Sequence, residues 1–163
     1  MKRTVIVMMM ICFAGIGLRV QAQSTAVDCD ALILPRYNND STVLEMLVPE
    51  KYEWLCTYAH NALYLTNTAP RDAAVHNISE LRCYATNQKL PDNYVVDLNS
   101  FSVYAYNFSD FFYQHNGREV YFRVGNEGNQ YLVARAPSEA LKMADDAVAA
   151  GNGIGGGHAT EQR

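Results

Sequence analysis

The sequence predicts an α+β domain: a long N-terminal helix packed on a three- to five-stranded antiparallel meander, closed by a short C-terminal helix. Three observations point there. Apolar residues from Pro49 to Leu65 recur at three- and four-residue steps, residues 81–136 turn to strand-like segments broken by Asn/Gly clusters, and Pro137 opens a second, shorter stretch of helical spacing.

Ahead of the domain lies a segment of another kind. Lys2 and Arg3 precede an almost wholly apolar run from Thr4 to Leu18, and Val20-Gln21-Ala22 offers the residues a signal peptidase reads. The run falls short of the roughly 20 apolar residues that a membrane-spanning helix needs. Residues 1–22 are therefore expected to be a cleavable export signal, with cleavage near Ala22 and the processed chain secreted or periplasmic. Processing would remove three of the 13 basic residues and none of the 17 acidic ones, leaving an acidic chain with no basic cluster. A nucleic-acid partner is not expected, because nothing in that pattern tracks a phosphate backbone. No further membrane span is expected in the processed chain.

The globular part should run from residue 23 to residue 150 as one domain. From Gln23 to Asp40 the chain is irregular, and Asp40 or Ser41 can cap a short helical piece ending at Leu47. Pro49 suits the first position of the long helix, with Glu50 and Glu53 against its positive end. Trp54, Tyr58, Ala62 and Leu65 form one apolar row of that helix and Leu55, Ala59 and Leu63 another, giving a broad buried face. Thr66 to Pro70 ends it. Residues 71–80 carry no clear pattern beyond room for a short helical turn.

Six strand candidates follow, from which the three to five strands of the meander would come: Leu81–Thr86, Tyr94–Leu98, Phe101–Phe108, Phe111–Gln114, Arg118–Val124 and Gln130–Ala136. His115-Asn116-Gly117 reads as a tight hairpin turn and residues 125–129 as a longer one. In the last two strands Val120, Phe122, Val124, Leu132, Ala134 and Ala136 alternate with Glu119, Tyr121, Arg123, Tyr131, Val133 and Arg135. The closing helix should begin at Pro137-Ser138, capped by Ser138, with Leu141, Ala144 and Val148 as its apolar stripe. Residues 151–163, rich in glycine, have the composition of a disordered tail. The order of elements is similar to a cystatin-like or NTF2-like arrangement.

Cys29, Cys56 and Cys83 remain after processing, and an exported chain can form one disulfide. Cys29 with Cys83 is the expected pair, since Cys56 falls within the helical, buried stretch. Two kinds of site then compete. Cys56 and His60 stand four residues apart on one helix face, a spacing that could bring thiolate and imidazole together. The string Cys56-Thr57-Tyr58-Ala59 resembles the Cys-Thr-x-Tyr-Ala segment of the CHAP amidases, which cleave peptidoglycan. That resemblance implies a cysteine hydrolase with Cys56 as nucleophile and a histidine on a later strand, here His115, as base. It is short, and the tyrosine comes one position early. Asp28-Cys29-Asp30 resembles the NlpC/P60 peptidase motif still less, because too little chain precedes it.

The other candidate is the strand face carrying Tyr121, Arg123, Tyr131 and Arg135, with Tyr104 and Tyr106 extending it from a neighbouring strand. Tyrosine and arginine are the types enriched where binding energy concentrates. The histidines and cysteines show no local metal-ligand spacing, and no metal or cofactor is expected. The sequence therefore favours a non-catalytic exported binding domain whose partner is a protein, a peptide or a cell-surface glycan.

Overall fold

The computed structural model describes residues 26–125 and 129–154. The expected export signal and residues 155–163 of the expected tail lie outside them. Among the described residues, five α-helices and four strands make a mixed α+β fold.

Helix α1 (Cys29–Ile33) is capped by Asp28, whose side chain accepts from the Ala31 amide at 3.1 Å. It buries Leu32 and Ile33 completely. A 3₁₀ turn (Leu34–Tyr37) follows and is halted by Asn38 and Asn39, both with positive φ. Asparagine tolerates that region better than most side chains. The Asp40 carboxylate then accepts from the amide and hydroxyl of Thr42, opening α2 (Thr42–Met46). Pro49 is the first residue of α3 (Pro49–Ala62), as its spacing predicts, and this helix buries Leu55, Cys56, Thr57, Ala59 and Ala62.

Helix α3 stops before Leu63, and β1 (Leu63–Thr66) follows without a loop. Leu63 and Leu65 sit two apart, so they satisfy a strand face as well as the helical rows expected of them. The ladder to a distant strand decides the matter. The patternless stretch holds β2 (Ala74–Asn77), closed by a 3₁₀ turn (Ile78–Glu80) in which Glu80 accepts from the Asn77 amide at 2.9 Å.

Residues 81–108 depart furthest from expectation. The strands expected over Leu81–Thr86 and Phe101–Phe108 shrink to isolated bridges, Arg82 with Lys89 and Cys83 with Tyr106, and Tyr94–Leu98 forms none. Their aromatic residues serve as core plugs: Phe101 stacks on Tyr106 at 4.6 Å and meets Tyr94 at 5.8 Å. Asp97 adds a turn by accepting from the Asn99 amide and the Ser100 hydroxyl. Phe111–Gln114 is helical, within α4 (Ser109–Gln114), where Asn107 accepts from the Asp110 amide at the helix start. Asn116 and Gly117 take the positive φ angles anticipated of them, yet they terminate a helix and make no hairpin. The Gly117 amide reaches back to the Phe112 carbonyl at 2.7 Å.

Strands β3 (Val120–Val124) and β4 (Gln130–Ala134) pair as the expected antiparallel hairpin. The sheet order is β1-β4-β3-β2, with β2 parallel to β3. The sheet is thus mixed, and the antiparallel meander of a cystatin-like or NTF2-like arrangement is not formed. Its inner face carries Leu63, Leu65, Leu132, Ala134, Val120, Phe122 and Val124 against Phe108, Phe111 and Ala140. Helix α5 (Pro137–Ala149) starts at Pro137 with Ala136, rather than Ser138, at the cap. It turns Ala140 and Ala144 inward, while Leu141 is exposed. Trp54 ties α3 to it by donating to Asp145 at 2.7 Å.

Residues 151–154 lie back against the domain. Gly151 takes φ +69°, and the Ile154 amide donates to the Thr57 hydroxyl at 3.1 Å, laying Ile154 against the cluster of Ile33, Leu55 and Cys56. The disulfide joins Cys29 to Cys56, not Cys29 to Cys83. Helix α1 packs directly on α3, so a buried, helical Cys56 faces its partner there, and burial was no bar to pairing. Cys83 is free and half-buried.

Candidate functional site: an aromatic cleft and a tied sheet face

The outer face of the sheet gathers the four strand residues the sequence places together. Pairing sets Tyr64, Val133, Tyr121 and Val75 in one row and Thr66, Tyr131, Arg123 and Asn77 in the next. Tyr64, hidden in a stretch read as helix, is the member sequence reasoning missed. The face is largely satisfied from within. Tyr121 is only 6% exposed and its hydroxyl donates to Glu119 at 3.1 Å, while Tyr64 donates to the other Glu119 oxygen at 3.4 Å. Burial, followed by side-chain hydrogen bonding with Tyr64 and then Glu119, raises the Tyr121 phenol well above its ordinary range. The Arg135 guanidinium lies 4.2 Å over the Tyr64 ring, donates to the Asn61 carbonyl at 2.9 Å and meets Glu139 at 3.7 Å. Arg123 is exposed and Tyr131 half-buried, the latter edge-on to Tyr121. Of the four, Tyr121 and Arg135 are already occupied within the fold.

Tyr104 and Tyr106 are not on that face. They lie in the 81–108 segment, where no extended strand forms to carry them beside β3, and they line a separate cleft of about 510 Å³. Tyr58 reaches the cleft from α3, Tyr84 and Ser109 from the segment and α4, and Arg36 and Asn38 from the 3₁₀ turn and its left-handed end. Phe108 and Phe112 form its apolar wall. A smaller recess of about 200 Å³ shares Pro35, Asn38, Tyr84 and Tyr104 with it and adds Asn39 and Cys83.

Stacking fixes the rings. Trp54 and Tyr58 lie parallel at 5.4 Å, Tyr58 and Tyr104 follow at 5.9 Å, and the Arg36 guanidinium sits 5.1 Å from the Tyr104 ring centre. Tyr84 is 58% exposed at the rim, its hydroxyl donating to Asn107 at 3.1 Å. The Tyr104 hydroxyl is buried and has no hydrogen-bond partner among the described residues. The cleft thus combines aromatic faces, one cation, one side-chain amide and the Ser109 hydroxyl. Sequence reasoning found Tyr104 and Tyr106 but missed Tyr58, which it assigned wholly to the core, and Arg36, Asn38 and Tyr84. The Asn38-Asn39 pair was the available signal, since two successive asparagines favour a sharp left-handed turn.

The hydrolase constellation is not assembled. Cys56 is fully buried and disulfide-bonded, so it presents no thiol. His60 is half-buried with its Nδ1 unpartnered among the described residues, and burial lowers its pKa. His115 ends α4 with its Nε2 2.8 Å from Nε2 of His76. The one free thiol among the described residues is Cys83, lowered in pKa by hydrogen bonds from the Thr86 side chain and backbone.

The tyrosines give the fold a pH signature. Burial, then the Asp30 carboxylate, pushes Tyr52 up to about 12, and burial, then Tyr94, pushes Tyr106 up to about 12. Unfolded tyrosines ionise near about 10. The folded state therefore holds these protons longer, and the stability they contribute is full below pH about 10 and drains away as pH rises towards about 12. Thermal midpoints should fall across that interval, with tyrosinate absorbance rising as the fold is lost. Complete tyrosine ionisation near pH 10 with the fold intact would contradict the burial described.

No family model matches the chain, and neither the curated proteins nor the solved structures offer a match.

Proposed function

We propose that the chain acts after export as a non-catalytic binding domain, and that the cleft around Tyr104 receives a ring of a short glycan. The export signature of residues 1–22 supports the location; no helix among the described residues is long and apolar enough to cross a membrane. The single observation that carries the reading is the cleft itself: Tyr58, Tyr84, Tyr104 and Tyr106 with Arg36, Asn38 and Ser109 around about 510 Å³. That volume falls within the roughly 300–1,000 Å³ of small-ligand sites.

The chemistry favours a sugar over a protein surface. A sugar ring has apolar C–H faces and a hydroxyl edge, so it needs aromatic area beside hydrogen-bonding groups. A stable protein partner usually needs about 800 Å² of surface on each side, and a concave cleft of this size offers less. The outer sheet face, with Tyr121 and Arg135 engaged internally, has fewer free groups to offer.

Tyr84 supplies the test, because its exposed ring can be removed with little effect on the core. On an oligosaccharide and peptide array, Tyr84→Ala and Arg36→Ala should each reduce retention of the bound glycan about tenfold or more, the scale of a binding hot spot. Thermal midpoints should stay nearly unchanged. Undiminished retention by both variants would reject the cleft as the binding site.

A further inference from the structure

We propose that His76 and His115 form the ligand pair of a binding site for a borderline divalent transition ion, with Zn²⁺ as the representative case. The two residues are 39 apart in sequence, one on the edge strand β2 and the other at the end of α4, and their Nε2 atoms converge to 2.8 Å. Imidazole nitrogen suits Zn²⁺, Ni²⁺ and Cu²⁺.

His76 is oriented from behind. Its Nδ1 lies 2.9 Å from one Glu80 oxygen, and the other Glu80 oxygen is fixed by the Asn77 amide at 2.9 Å. Phe111 and Phe122 hold the ring at 4.8 and 5.9 Å. With Nδ1–H given to Glu80, the Nε2 lone pair of His76 faces His115. Metal-ligating histidines are commonly set in this way by a carboxylate behind them. In the metal-free protein the His115 Nε2–H donates to that lone pair. When the ion binds, this proton passes to Nδ1 of His115, the ring stays neutral, and two Nε2 lone pairs meet the ion.

Two nitrogens on a tetrahedral Zn²⁺ stand roughly 3.3 Å apart, so the pair has only to open slightly. His115 is half-buried and precedes the left-handed turn at Asn116 and Gly117, which leaves it the freer partner. It also lines a polar cleft of about 540 Å³ together with Asp72, Gln114, Asn116 and Glu119. No group of three metal-binding side chains occurs among the described residues. The remaining coordination positions therefore fall to water or to a molecule in that cleft, the open arrangement of a site that exchanges ligands. This cleft shares no lining residue with the aromatic one, so the two proposals stand or fall separately.

Calorimetric titration of the processed protein with a zinc salt tests the assignment. One equivalent should bind; His115→Gln and His76→Gln should each weaken it at least tenfold, and Glu80→Gln by about 10- to 100-fold, as for other oriented ligands. Cys83→Ser and His158→Gln should leave it unchanged. His76 is half-buried against Phe111 and Phe122, so if its variant fails to fold, His115→Gln and Glu80→Gln decide. Absence of binding to the wild type, undiminished binding in His115→Gln, or loss confined to His158→Gln or Cys83→Ser would overturn the proposal.

Discussion

Truncating Phe122 to alanine is expected to cost about 3–5 kcal/mol, the range for removing a fully buried aromatic ring. Phe122 is the largest of the completely buried side chains, at 0% exposure, and stands at the middle of the inner sheet face. Phe111 meets it edge-on at 4.9 Å, Phe108 at 5.6 Å and His76 at 5.9 Å, so the ring joins α4, the 81–108 segment and β2 to the central strand. Little can collapse into the space it leaves, because its neighbours are rigid rings anchored on different elements. Domains of this size are stable by about 5–15 kcal/mol, so the variant should unfold at much lower denaturant or fail to fold. A loss below about 1.5 kcal/mol, the range of a well-tolerated core swap, would show that the core is not organised around this residue.

Replacing Cys29 and Cys56 by serine should cost about 3–4 kcal/mol. The bridge closes a loop of 27 residues, and the chain-entropy relation assigns that stabilisation to the restricted unfolded state. Chemical denaturation of the double variant, set against the oxidised parent, measures it. The same bond predicts one reactive thiol among the described residues of the folded protein, at Cys83. Thiol labelling followed by peptide mapping checks this, and label on Cys29 or Cys56 of the native protein would contradict the pairing. The bridge matters more than its energy suggests, since it anchors α1 and with it the 3₁₀ turn that brings Arg36 and Asn38 to the cleft.

Local chemistry made part of this fold legible. Pro49 and Pro137 mark helix starts because a first-turn residue needs no amide, and alternating Val120, Phe122 and Val124 report a one-sided sheet. What stayed hidden depends on partners distant in sequence. Leu63 and Leu65 fit a helix or a strand, and only β4, about 70 residues away, selects the strand. Ala74–Asn77 has no alternation strong enough to announce β2, which exists because β3 offers it a parallel edge. The aromatic residues of 94–108 have strand propensity, but turn-forming Asp97, Asn99 and Ser100 and the demand for core volume override it.

The sites follow the same division. The sequence placed Tyr121, Arg123, Tyr131 and Arg135 on one face by strand periodicity alone. It could not show that Glu119, Tyr64 and Asn61 would occupy much of that face's hydrogen-bonding capacity. Tyr104 and Tyr106 were singled out for their residue type, but their position depends on how an irregular segment folds over α3. His76 and His115 carry no shared motif, and topology alone brings their nitrogens together.

The proposed aromatic site is tested most directly by mapping amide chemical shifts during titration with the tightest-binding oligosaccharide from the array. Perturbations are expected at residues 35–38, at Tyr84 and through 103–112, with β3 and β4 unaffected. Shifts concentrated instead at Tyr121, Arg123 and Tyr131 would move the binding surface to the sheet and contradict the assignment to the cleft.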